Sequence, residues 1–516
     1  SFVSMDLSTL TRWESPWKGL RAVVAGIGLS GFAAADTLIE LGAQVIVVDG
    51  NDNEEHAKRA DTLMIVGALD VRLGAQHTQD LPDVAGERPD VLLVSPGWRP
   101  TQALLAQAAE QGIAIWSEIE LAWRVRTREG RPTAPWLCIT GTNGKTTTVT
   151  MTAEILRRAG LRAEACGNVG TPVLDVVRDP IGFDALAVEL SSFQLEFTHS
   201  MEPLASVVLN LAEDHVDWHG SFEAYAAAKA KIYERATVAA IFNVEDAATL
   251  RMVEEAEVAE GCRAIGFTTS SPGLSMVGVV EDLLVDRAFI EERRTQAAEL
   301  ASISDLGDPA PHHTVANALA AAALTRALGV PAEAVREGLR HYDRGEHRIQ
   351  LVADAEGVRW INDSKATNPH AADASLSAFE NVVWIAGGLA KGVEFDELVK
   401  RHAHHLRSVV VIGTDNDALH GALNRHAPHV PVIETAVGDH EGPETSDRLA
   451  LGAWVMGRAV EAAAQAASPG DTVLMAPASA SMDQFVSYAH RGNAFVEAVK
   501  ARLGSADAAA ENTKQD

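Results

Sequence analysis

Two glycine-rich turns, each lying between a β-type run and a helical stretch, constrain the fold of this chain most strongly. The first follows RAVVA and reads GIGLSG, and the second follows WLCIT and reads GTNGKTT. Turns of this kind occur where a parallel strand passes directly into a helix. Short β-branched runs alternate with amphipathic or Ala-rich stretches from Arg21 almost to the end of the chain. The sequence therefore predicts an α/β fold with parallel sheets throughout.

The length of the chain and two polar stretches within it predict three domains. A chain of 516 residues has room for about three domains of roughly 100 to 200 residues each. Polar, Gly- and Pro-bearing stretches at 127–135 and 341–350 mark the boundaries. We predict a Rossmann-like domain at 1–130, a central P-loop ATPase-type α/β domain at 131–346, a C-terminal Rossmann-like domain at 347–504 and a disordered tail at 505–516.

Charge and composition exclude several classes of protein. The formal net charge is 43 − 71 = −28, which makes a poor binder of the nucleic-acid backbone, so local donors must hold any anionic ligand. The three cysteines form no C-x-x-C pair, which fits a reducing cytosol. No apolar run approaches the ~20 residues needed to cross a bilayer. We expect a cytoplasmic protein that binds neither nucleic acid nor membrane, and the start SFVSM shows no secretory signal.

The first turn carries a dinucleotide-type fingerprint. Its glycines let the backbone approach a diphosphate at the helix N-terminus, and an acid about 20 residues further on can bind a ribose hydroxyl. Asp49 lies at that spacing, at the end of the strand VIVVD. The later strand VLLVSPG ends in Ser95 and Gly97 on the same edge, where they contact a ligand or merely form a turn. The glycines of the fingerprint are Gly26, Gly28 and Gly31.

The second turn resembles a P-loop with fewer residues between its glycines. Gly141, Gly144, Lys145 and Thr146 match that pattern, whereas Ile139 stands where the full P-loop form has its first glycine. Backbone N–H groups at the helix N-terminus can cradle phosphates, the lysine can neutralise the β- and γ-phosphate oxygens, and a threonine hydroxyl can reach Mg²⁺. We predict a phosphate site here.

Two further strand ends place acidic and imidazole groups on the same predicted edge. Glu189 ends the strand DALAVEL, and Glu213, Asp214 and His215 follow the strand SVVLN. Ligands in open α/β sheets bind beyond the carboxyl ends of the strands. Glu189 alone could be a solvated strand end and His215 alone a turn histidine, but together with the glycine turn they can hold Mg²⁺.

A lysine interrupts the apolar stripe of the next helix. Lys229 falls on the stripe, whereas Lys231 falls off it. Snorkelling, in which the ammonium reaches solvent, is the interpretation that the residues alone favour. The alternative is a buried lysine of lowered pKa that combines with CO₂ to give a carbamate ligand for Mg²⁺. The stripe consists of Phe222, Tyr225, Ile232 and Ala236.

The motifs GTNGKTT, ELSSFQLE, EDHVD, YAAAK and NDSKATN together resemble the Mur ligase family over most of the chain, from about Leu20 to Val499. The resemblance implies three domains that bind a UDP-sugar peptide, ATP and an amino acid in that order. It implies an ATP-dependent amide ligase that works through an acyl phosphate in peptidoglycan synthesis. The branch most similar in its motifs joins D-glutamate to UDP-N-acetylmuramoyl-L-alanine, and we expect a monomer.

The same resemblance implies the site residues. The UDP substrate would contact Gly28, Leu29, Ser30, Asp49, Ser95, Gly97 and Asn168. ATP would contact Gly141, Thr142, Asn143, Gly144, Lys145, Thr146, Thr147, Asn317, Arg348 and Asp363. Catalysis would involve Lys145, Glu189, His215 and Lys229, with Mg²⁺ bound by Thr146, Glu189, His215 and a carbamate on Lys229, which reverses the snorkelling interpretation. D-Glutamate would contact Lys365, Thr367, Lys391, Ser481 and Tyr488.

The sequence departs from the family pattern in the third domain, and other interpretations stay open. GGLAK, APASAS and Tyr488 differ from the usual residues, which bears on how the amino acid is recognised. The neighbouring His402, His404 and His405 match nothing in the family and are most simply a solvated helix face. A sister Mur ligase, a folylpolyglutamate synthetase, an NAD(P)-dependent dehydrogenase and a non-catalytic nucleotide sensor are the alternatives. A dehydrogenase leaves GTNGKTT unexplained, and a sensor would not need the acidic and histidine cluster.

Overall fold

A computed structural model describes residues 3–168, 171–307, 310–342, 349–435 and 447–512. Two compact units divide the chain. The first comprises residues 1–307 and 315–342, and the second comprises residues 308–314 and 343–516. Within the described ranges, no helix is long and apolar enough to cross a membrane.

The first sheet is parallel and is formed by the N-terminal part of the chain in the first unit. In the described part of the chain its five strands run in the order β3-β2-β1-β4-β5. The central strands are buried along almost their whole length because helices cover both faces. The strands are β1 (Arg21–Ala25), β2 (Gln44–Asp49), β3 (Asp70–Leu73), β4 (Val91–Val94) and β5 (Ala114–Ser117). The helices are α1 (Leu29–Glu40), α2 (Glu54–Val66), α3 (Ala103–Glu110) and α4 (Glu118–Val125).

The second sheet carries the GTNGKTT turn. Its nine described strands run in the order β14-β13-β12-β11-β10-β9-β6-β8-β7, and all neighbours pair parallel except that β13 pairs antiparallel with both β12 and β14 at one edge. The strands are β6 (Trp136–Thr140), β7 (Ala163–Gly167), β8 (Ala185–Glu189), β9 (Ala205–Val208), β10 (Ala239–Asn243), β11 (Arg263–Phe267), β12 (Met276–Val280), β13 (Leu283–Asp286) and β14 (Ala298–Ser302). The helices are α5 (Lys145–Arg158), α6 (Val173–Val177), α7 (Ser192–Glu196), α8 (Val216–His219), α9 (Phe222–Ala230), α10 (Ala247–Glu255), α11 (His312–Ala327) and α12 (Ala332–Arg340).

The third sheet lies in the second unit. Its six described strands run in the order β15-β16-β20-β17-β18-β19, and only β15 pairs antiparallel. The strands are β15 (Gln350–Ala355), β16 (Val358–Asn362), β17 (Val382–Ala386), β18 (Leu406–Val411), β19 (Val432–Glu434) and β20 (Thr472–Met475). The helices are α13 (Pro369–Ser377), α14 (Asp396–His402), α15 (Asp417–His426), α16 (Arg448–Ala466) and α17 (Tyr488–Asn512).

Alternating side chains build the core of the third sheet on both of its faces. Val383 and Val410 pack into one buried cluster, whereas their neighbours Trp384 and Val411 pack into the other. The period of two along each strand places successive residues on opposite faces. Because both faces are covered, the strands read as continuous apolar runs, which is the pattern from which the sequence predicts parallel sheets.

The C-terminal segment differs from the prediction of a disordered tail at 505–516. The backbone stays helical to Asn512 as part of α17, which corrects that prediction for 505–512, while 513–516 lie outside the described residues. The segment SADAAAEN is rich in alanine, the residue that favours helix most strongly. The predicted boundary at 346/347 also falls outside the described residues, and both domain boundaries remain predictions.

Candidate active site

The GTNGKTT turn connects β6 to α5 through backbone conformations that glycine favours. Gly144 has φ = +87°, in the left-handed region. The side chain of Asn210, just after β9, holds the loop through two hydrogen bonds. Its Oδ1 accepts the N–H groups of Thr142 and Asn143 at 3.0 and 2.9 Å. Helical geometry leaves the next N–H groups, from Lys145 onward, without an acceptor inside α5. The start of α5 is therefore an anion-binding terminus.

Two lysines converge on one carbonyl oxygen of this turn. Lys145 Nζ donates to the carbonyl of Gly141 at 2.8 Å, and Lys229 Nζ donates to the same oxygen at 2.9 Å and to Thr140 Oγ1 at 3.2 Å. Lys229 is 1% exposed, so its ammonium does not reach solvent and the snorkelling interpretation is wrong. Burial lowers the pKa of Lys145, and it lowers the pKa of Lys229 well below its ordinary value.

Acidic and imidazole groups face the two lysines from neighbouring strand ends. Glu189, 1% exposed, lies with its Oε2 3.5 Å from Thr146 Oγ1. His215 has φ = +49°, and its Nε2 lies 3.5 Å from Asp214 Oδ2. Burial lowers the pKa of His215, while the charge of Asp214 opposes that shift. Within the described ranges, no three His, Cys, Asp or Glu side chains are grouped so that they could hold a metal ion by themselves.

Tyr225 and Asn317 complete the surroundings of the turn. The Tyr225 hydroxyl lies 3.0 Å from Thr142 Oγ1, and its ring centroid lies 5.0 Å from Lys229 Nζ. The sequence places Tyr225 only on an apolar stripe, so its contact with the turn was missed. Buried Asn317 on α11 packs against Gly144 so closely that a Cβ there would lie 2.5 Å from Asn317 Oδ1. Arg348 lies outside the described residues.

The GIGLSG turn of the first sheet is organised around a carboxylate. Asp49 Oδ2 accepts the N–H of Ile27 at 2.9 Å, and Asp49 Oδ1 accepts the N–H of Asn51 at 2.8 Å. The structure therefore gives Asp49 a role in shaping the turn that spacing alone does not reveal. The Ser95 hydroxyl is buried without a hydrogen-bond partner among the described residues, next to the turn that the sequence assigns to a diphosphate.

The remaining predicted UDP contacts lie at two places, next to the GIGLSG turn and at the end of β7. Gly28 caps the N-terminus of α1, Leu29 is 68% exposed at its first position, and Gly97 has φ = +98°. Asn168 is exposed and donates its N–H to the carbonyl of Glu189 at 3.0 Å. The end of β7 thus lies beside the strand end that carries Glu189.

Three loops of the third sheet meet through backbone hydrogen bonds. Ala478 N–H donates to the carbonyl of Ala366, and Leu389 and Ala480 exchange two bonds, all at 3.0 Å. These bonds join the NDSKATN loop, the GGLAK loop and the ASAS loop, as expected for one edge of a sheet. Exposed Lys391, with φ = +55°, and buried Ser481 lie within two residues of these pairs.

Side chains from the same loops form a polar cluster at the start of α17. Lys365 Nζ donates to the Tyr488 hydroxyl at 2.7 Å and lies 4.3 Å from its ring centroid. Asp363 accepts the hydroxyl of Ser375 and the N–H of Ile349. Thr367 donates its N–H to the carbonyl of Lys365 at 2.9 Å.

Sequence reasoning missed the buried cation that ties these loops together. Arg491 is fully buried and donates to Ser364 Oγ at 2.9 Å, to the carbonyl of Ser364 at 2.7 Å and to the carbonyl of Ser479 at 2.8 Å. Burial lowers its pKa to about 10. An arginine within a helical stretch carries no sequence signal for such a role, because its acceptors lie more than 10 residues away.

Comparison with known proteins decides the family. Residues 139–325 match the model of the Mur ligase middle domain, and residues 347–479 match that of the Mur ligase glutamate ligase domain. The UDP-N-acetylmuramoylalanine–D-glutamate ligase of Streptomyces coelicolor is 52% identical over 94% of this chain and 99% of its own length. The chain belongs to the Mur ligase family. The enzyme of the same name from Leifsonia xyli is 50% identical over 96% of both chains.

Solved structures bear out the Mur ligase fold. A pseudomurein peptide ligase type C from Methanothermus fervidus superposes with a TM-score of 0.53, at 16% identity, over 92% of this chain and 99% of its own. UDP-N-acetylmuramate-alanine ligase from Thermotoga maritima gives 0.50 at 18% identity, over 94% and 100%. The predicted family and the predicted α/β fold class are confirmed, whereas the role of each site residue stays a prediction.

One interpretation of this Mur ligase's third domain is wrong. The histidines at the end of α14 are not simply a solvated face, because His402 is 3% exposed. Its Nε2 lies 2.5 Å from Asp373 Oδ1 and its Nδ1 lies 2.7 Å from His405 Nε2. His402 is thus on the buried side of the helix end, and Asp373 on α13 supplies the partner that a buried imidazole requires.

Proposed function

We propose that this Mur ligase joins D-glutamate to UDP-N-acetylmuramoyl-L-alanine with hydrolysis of ATP, in cytoplasmic peptidoglycan precursor synthesis. The observation that carries the proposal is the pair of lysines, Lys229 buried and Lys145 half-buried, on the Gly141 carbonyl, near Glu189 at the N-terminus of α5. Relatives 50–52% identical over nearly their whole length bear the corresponding name. We expect the enzyme to act as a monomer.

The reaction we propose has two steps. A carboxylate oxygen of the alanyl group attacks the γ-phosphorus of ATP, ADP leaves, and an acyl phosphate forms. The amine of D-glutamate then attacks the acyl carbon, phosphate leaves and the amine loses a proton. Lys145 would stabilise charge on the transferring phosphoryl group, and positioning together with electrostatics would supply most of the rate.

The residues around the turn fit a magnesium ion bound together with ATP. Thr146 Oγ1 and Glu189 Oε2 lie 3.5 Å apart, and hydroxyl and carboxylate oxygens are ligands that Mg²⁺ prefers. Bound Mg²⁺ would neutralise charge on the phosphates. His215 would complete the surroundings of the ion.

Lys229 fits the proposed carbamate. A buried lysine whose pKa is lowered by desolvation holds a neutral amine more readily than an exposed one, and a neutral amine is the form that combines with CO₂. The resulting carbamate would present oxygen atoms near Glu189.

The first sheet would hold the UDP part, and the third would hold D-glutamate. We assign the UDP substrate to the GIGLSG turn, where Asp49 and Ser95 lie, and to Asn168. We assign the two carboxylates of D-glutamate to the three loops that meet in the third sheet, with Lys365, Thr367, Lys391, Ser481 and Tyr488. Asp363, Asn317 and Arg348 would contact the nucleotide.

The test is phosphate release from ATP with UDP-N-acetylmuramoyl-L-alanine and a panel of amino acids. We expect release with D-glutamate and little with L-lysine, diaminopimelate or L-alanine. Preference for one of those three would favour a sister ligase. Tight NADH binding without competition from the UDP substrate would favour a dehydrogenase.

Lys391 tests the assignment of the third sheet. A point charge on a flexible stem suits the side-chain carboxylate that distinguishes glutamate from alanine. Lys391→Ala should therefore raise the KM for D-glutamate by about tenfold or more while leaving the KM for ATP within about twofold. Lys400→Ala, at an exposed position of α14, is the matched control. Unchanged KM and kcat for D-glutamate in the Lys391 variant would contradict the assignment.

A further inference from the structure

A buried carboxyl group links the GIGLSG turn to the strand end that carries Glu189. Glu118, the first residue of α4, is 3% exposed. Its Oε1 accepts the hydroxyl of Ser30 at 2.9 Å and the amide Nε2 of Gln194 at 3.3 Å. Ser30 lies in the first turn of α1, within the GIGLSG turn that the sequence assigns to a diphosphate, and Gln194 lies in α7. One oxygen atom therefore joins the first sheet to the second.

The orientation of the Gln194 amide is fixed on its other side. Its Oε1 accepts the N–H of Ser191 at 2.9 Å, so its Nε2 must face Glu118. Ser191 follows Glu189 by two residues and caps α7 through a reciprocal pair of bonds with Gln194. The hydrogen bonds thus run without a gap from the GIGLSG turn to the strand end beside the second turn.

The surroundings of the second carboxyl oxygen of Glu118 favour the neutral form of this group. Oε2 is buried and has no hydrogen-bond partner among the described residues. Burying an ionised carboxylate with one bare oxygen costs far more free energy than burying a neutral carboxyl group in the same place. Burial raises the pKa of Glu118; the hydrogen bonds from Ser30 and Gln194 oppose that shift without cancelling it, and the charge of Asp175 on α6 adds to it.

We propose that Glu118 is a positioning residue that acts as a neutral hydrogen-bond acceptor and couples Ser30 at the UDP-substrate turn to Gln194 beside the Glu189 strand end. This inference rests on the proposed function. The ligation reaction requires the UDP substrate, held at the first turn, to present its carboxylate to ATP, held at the second. A rigid connection between the two turns lowers the entropy that is lost when the reactants are aligned.

Two variants of Glu118 separate a neutral acceptor from a carboxylate. Glu118→Gln keeps a carbonyl oxygen for Ser30 and Gln194, so we expect the KM for UDP-N-acetylmuramoyl-L-alanine to stay within about threefold of the wild type. Glu118→Leu keeps apolar bulk and removes the acceptor, so we expect that KM to rise about tenfold, the usual effect of one lost hydrogen bond. The KM for ATP should change less than twofold in both.

A double-mutant cycle with Ser30→Ala tests the coupling directly. Ser30→Ala alone should raise the KM for the UDP substrate about tenfold, and by clearly less in the Glu118→Leu background, where the hydrogen bond to Glu118 is already absent. If the effects of Ser30→Ala and Glu118→Leu on this KM are fully additive, the proposal is overturned, because a residue that only fills space would not couple to Ser30. An equal rise of the KM in Glu118→Gln and Glu118→Leu would also overturn it, since that result would mean that Glu118 must be a charged carboxylate.

The outcomes also separate this proposal from the proposed function. Direct binding of UDP-N-acetylmuramoyl-L-alanine, measured by calorimetry, gives a dissociation constant even for variants with little turnover, and thermal unfolding identifies a variant that does not fold. If Glu118→Leu does not fold, the test rests on Glu118→Gln, which should keep the KM within about threefold, and on Ser30→Ala, which should raise it about tenfold. Wild-type enzyme that fails to ligate D-glutamate contradicts the function, whereas active wild type with unaffected variants contradicts only the role of Glu118.

Discussion

The two glycine-rich turns of the first unit share a strand–turn–helix geometry but differ in the charged groups that lie against the turn. The GIGLSG turn is shaped by a carboxylate, because Asp49 accepts N–H groups from Ile27 and Asn51. The GTNGKTT turn is shaped by a neutral amide from Asn210, and the amino groups of Lys145 and Lys229 lie on its Gly141 carbonyl. Similar backbones therefore present very different electrostatic potentials to a bound phosphate.

This difference corresponds to the different tasks that we propose for the two turns. A turn that only holds a diphosphate can rely on N–H groups and on an acid that orders the loop and faces hydroxyl groups. A turn at which phosphoryl transfer occurs must stabilise charge that develops on the phosphate oxygens, and a fixed cation such as Lys145 does this most effectively where water is excluded. Changing charge should therefore affect chemistry at the second turn and binding at the first.

The largest expected effect is at Lys145. Lys145→Ala should reduce kcat by about 10² or more, because it removes a fixed positive charge from the transition state of phosphoryl transfer. Steady-state phosphate release measures this loss. Asp49→Asn is the comparison at the first turn, and it should raise the KM for the UDP substrate with a smaller effect on kcat. Near-normal ligation by the Lys145 variant would remove the distinction between the turns.

Lys229 should show a smaller loss and a chemical rescue. Lys229→Ala should reduce kcat by about tenfold or more, and a short added carboxylate should restore part of it by replacing the oxygen atoms of the proposed carbamate. Lys231→Ala is the matched control, since Lys231 donates to the carbonyl of Glu196 at 2.8 Å instead of to the turn. Full activity of Lys229→Ala would contradict the carbamate.

The glycines of the first turn allow a comparison on stability. A Cβ at Gly31 would lie 1.9 Å from the carbonyl oxygen of Gly26, whereas a Cβ at Gly28 would meet nothing within 4 Å. Gly31→Ala should therefore lower the free energy of unfolding by roughly 1–3 kcal/mol through overpacking. Gly28→Ala should change it by less than about 0.5 kcal/mol. Denaturant unfolding measures both, and equal effects would show that the turn does not require close helix–strand packing.

The turns themselves could be predicted from the sequence because their chemistry is local. Glycines, Lys145 and Asp49 stand at fixed spacings after recognisable strands, so both strand–helix junctions and the α/β fold follow from the pattern. The inward direction of Lys229 also follows from helical periodicity, although its partners do not. Local spacing thus reveals which groups gather at an edge.

The residues that were missed act across long separations in the chain. Asn210 shapes the turn at Thr142, Arg491 binds Ser364, and Asp373 holds His402, in each case from a different element. Which of several polar residues at strand ends or on helices makes such a contact depends on strand order and helix packing. A single sequence without the third dimension does not contain that information, and buried polar partners are therefore the part of the site that it leaves open.

The smallest expected effect is on the free energy of unfolding below pH 7. It depends on one histidine in each unit. Burial, together with neighbouring positive groups, lowers the pKa of His219 in α8 to about 4. The same causes lower the pKa of His405 in the third domain to about 4. His219 Nε2 lies 2.9 Å from Ser192 Oγ, and His405 contacts His402. Both rings are neutral in the folded protein at pH values where an unfolded histidine is protonated.

The sign of the pH dependence follows from this difference. An unfolded histidine, with a pKa of about 6.5, binds a proton between pH 6.5 and 4 that the folded ring does not bind. The free energy of unfolding must therefore fall as the pH falls through that window, by at most ~1.4 kcal/mol per pH unit for each ring. Solvent screening reduces the effect because both rings are partly exposed. Asp373, whose pKa is lowered, loses its contribution only below about pH 4 and so acts in a separate window.

Denaturant unfolding at pH 7, 6, 5 and 4.5 measures the effect in each unit. His405→Gln should flatten the pH dependence of the transition that belongs to the second unit, and His219→Gln should do so for the first. His429→Gln, at an exposed position, is the control and should leave both slopes unchanged. The expectation fails if the free energy of unfolding of the wild type does not fall between pH 6.5 and 4.5. It also fails if the His219→Gln and His405→Gln variants keep the pH dependence of the wild type. Either result would mean that the rings are protonated in the folded state. Their packing against His402 and Ser192 would in that case have to be maintained by charged imidazoles.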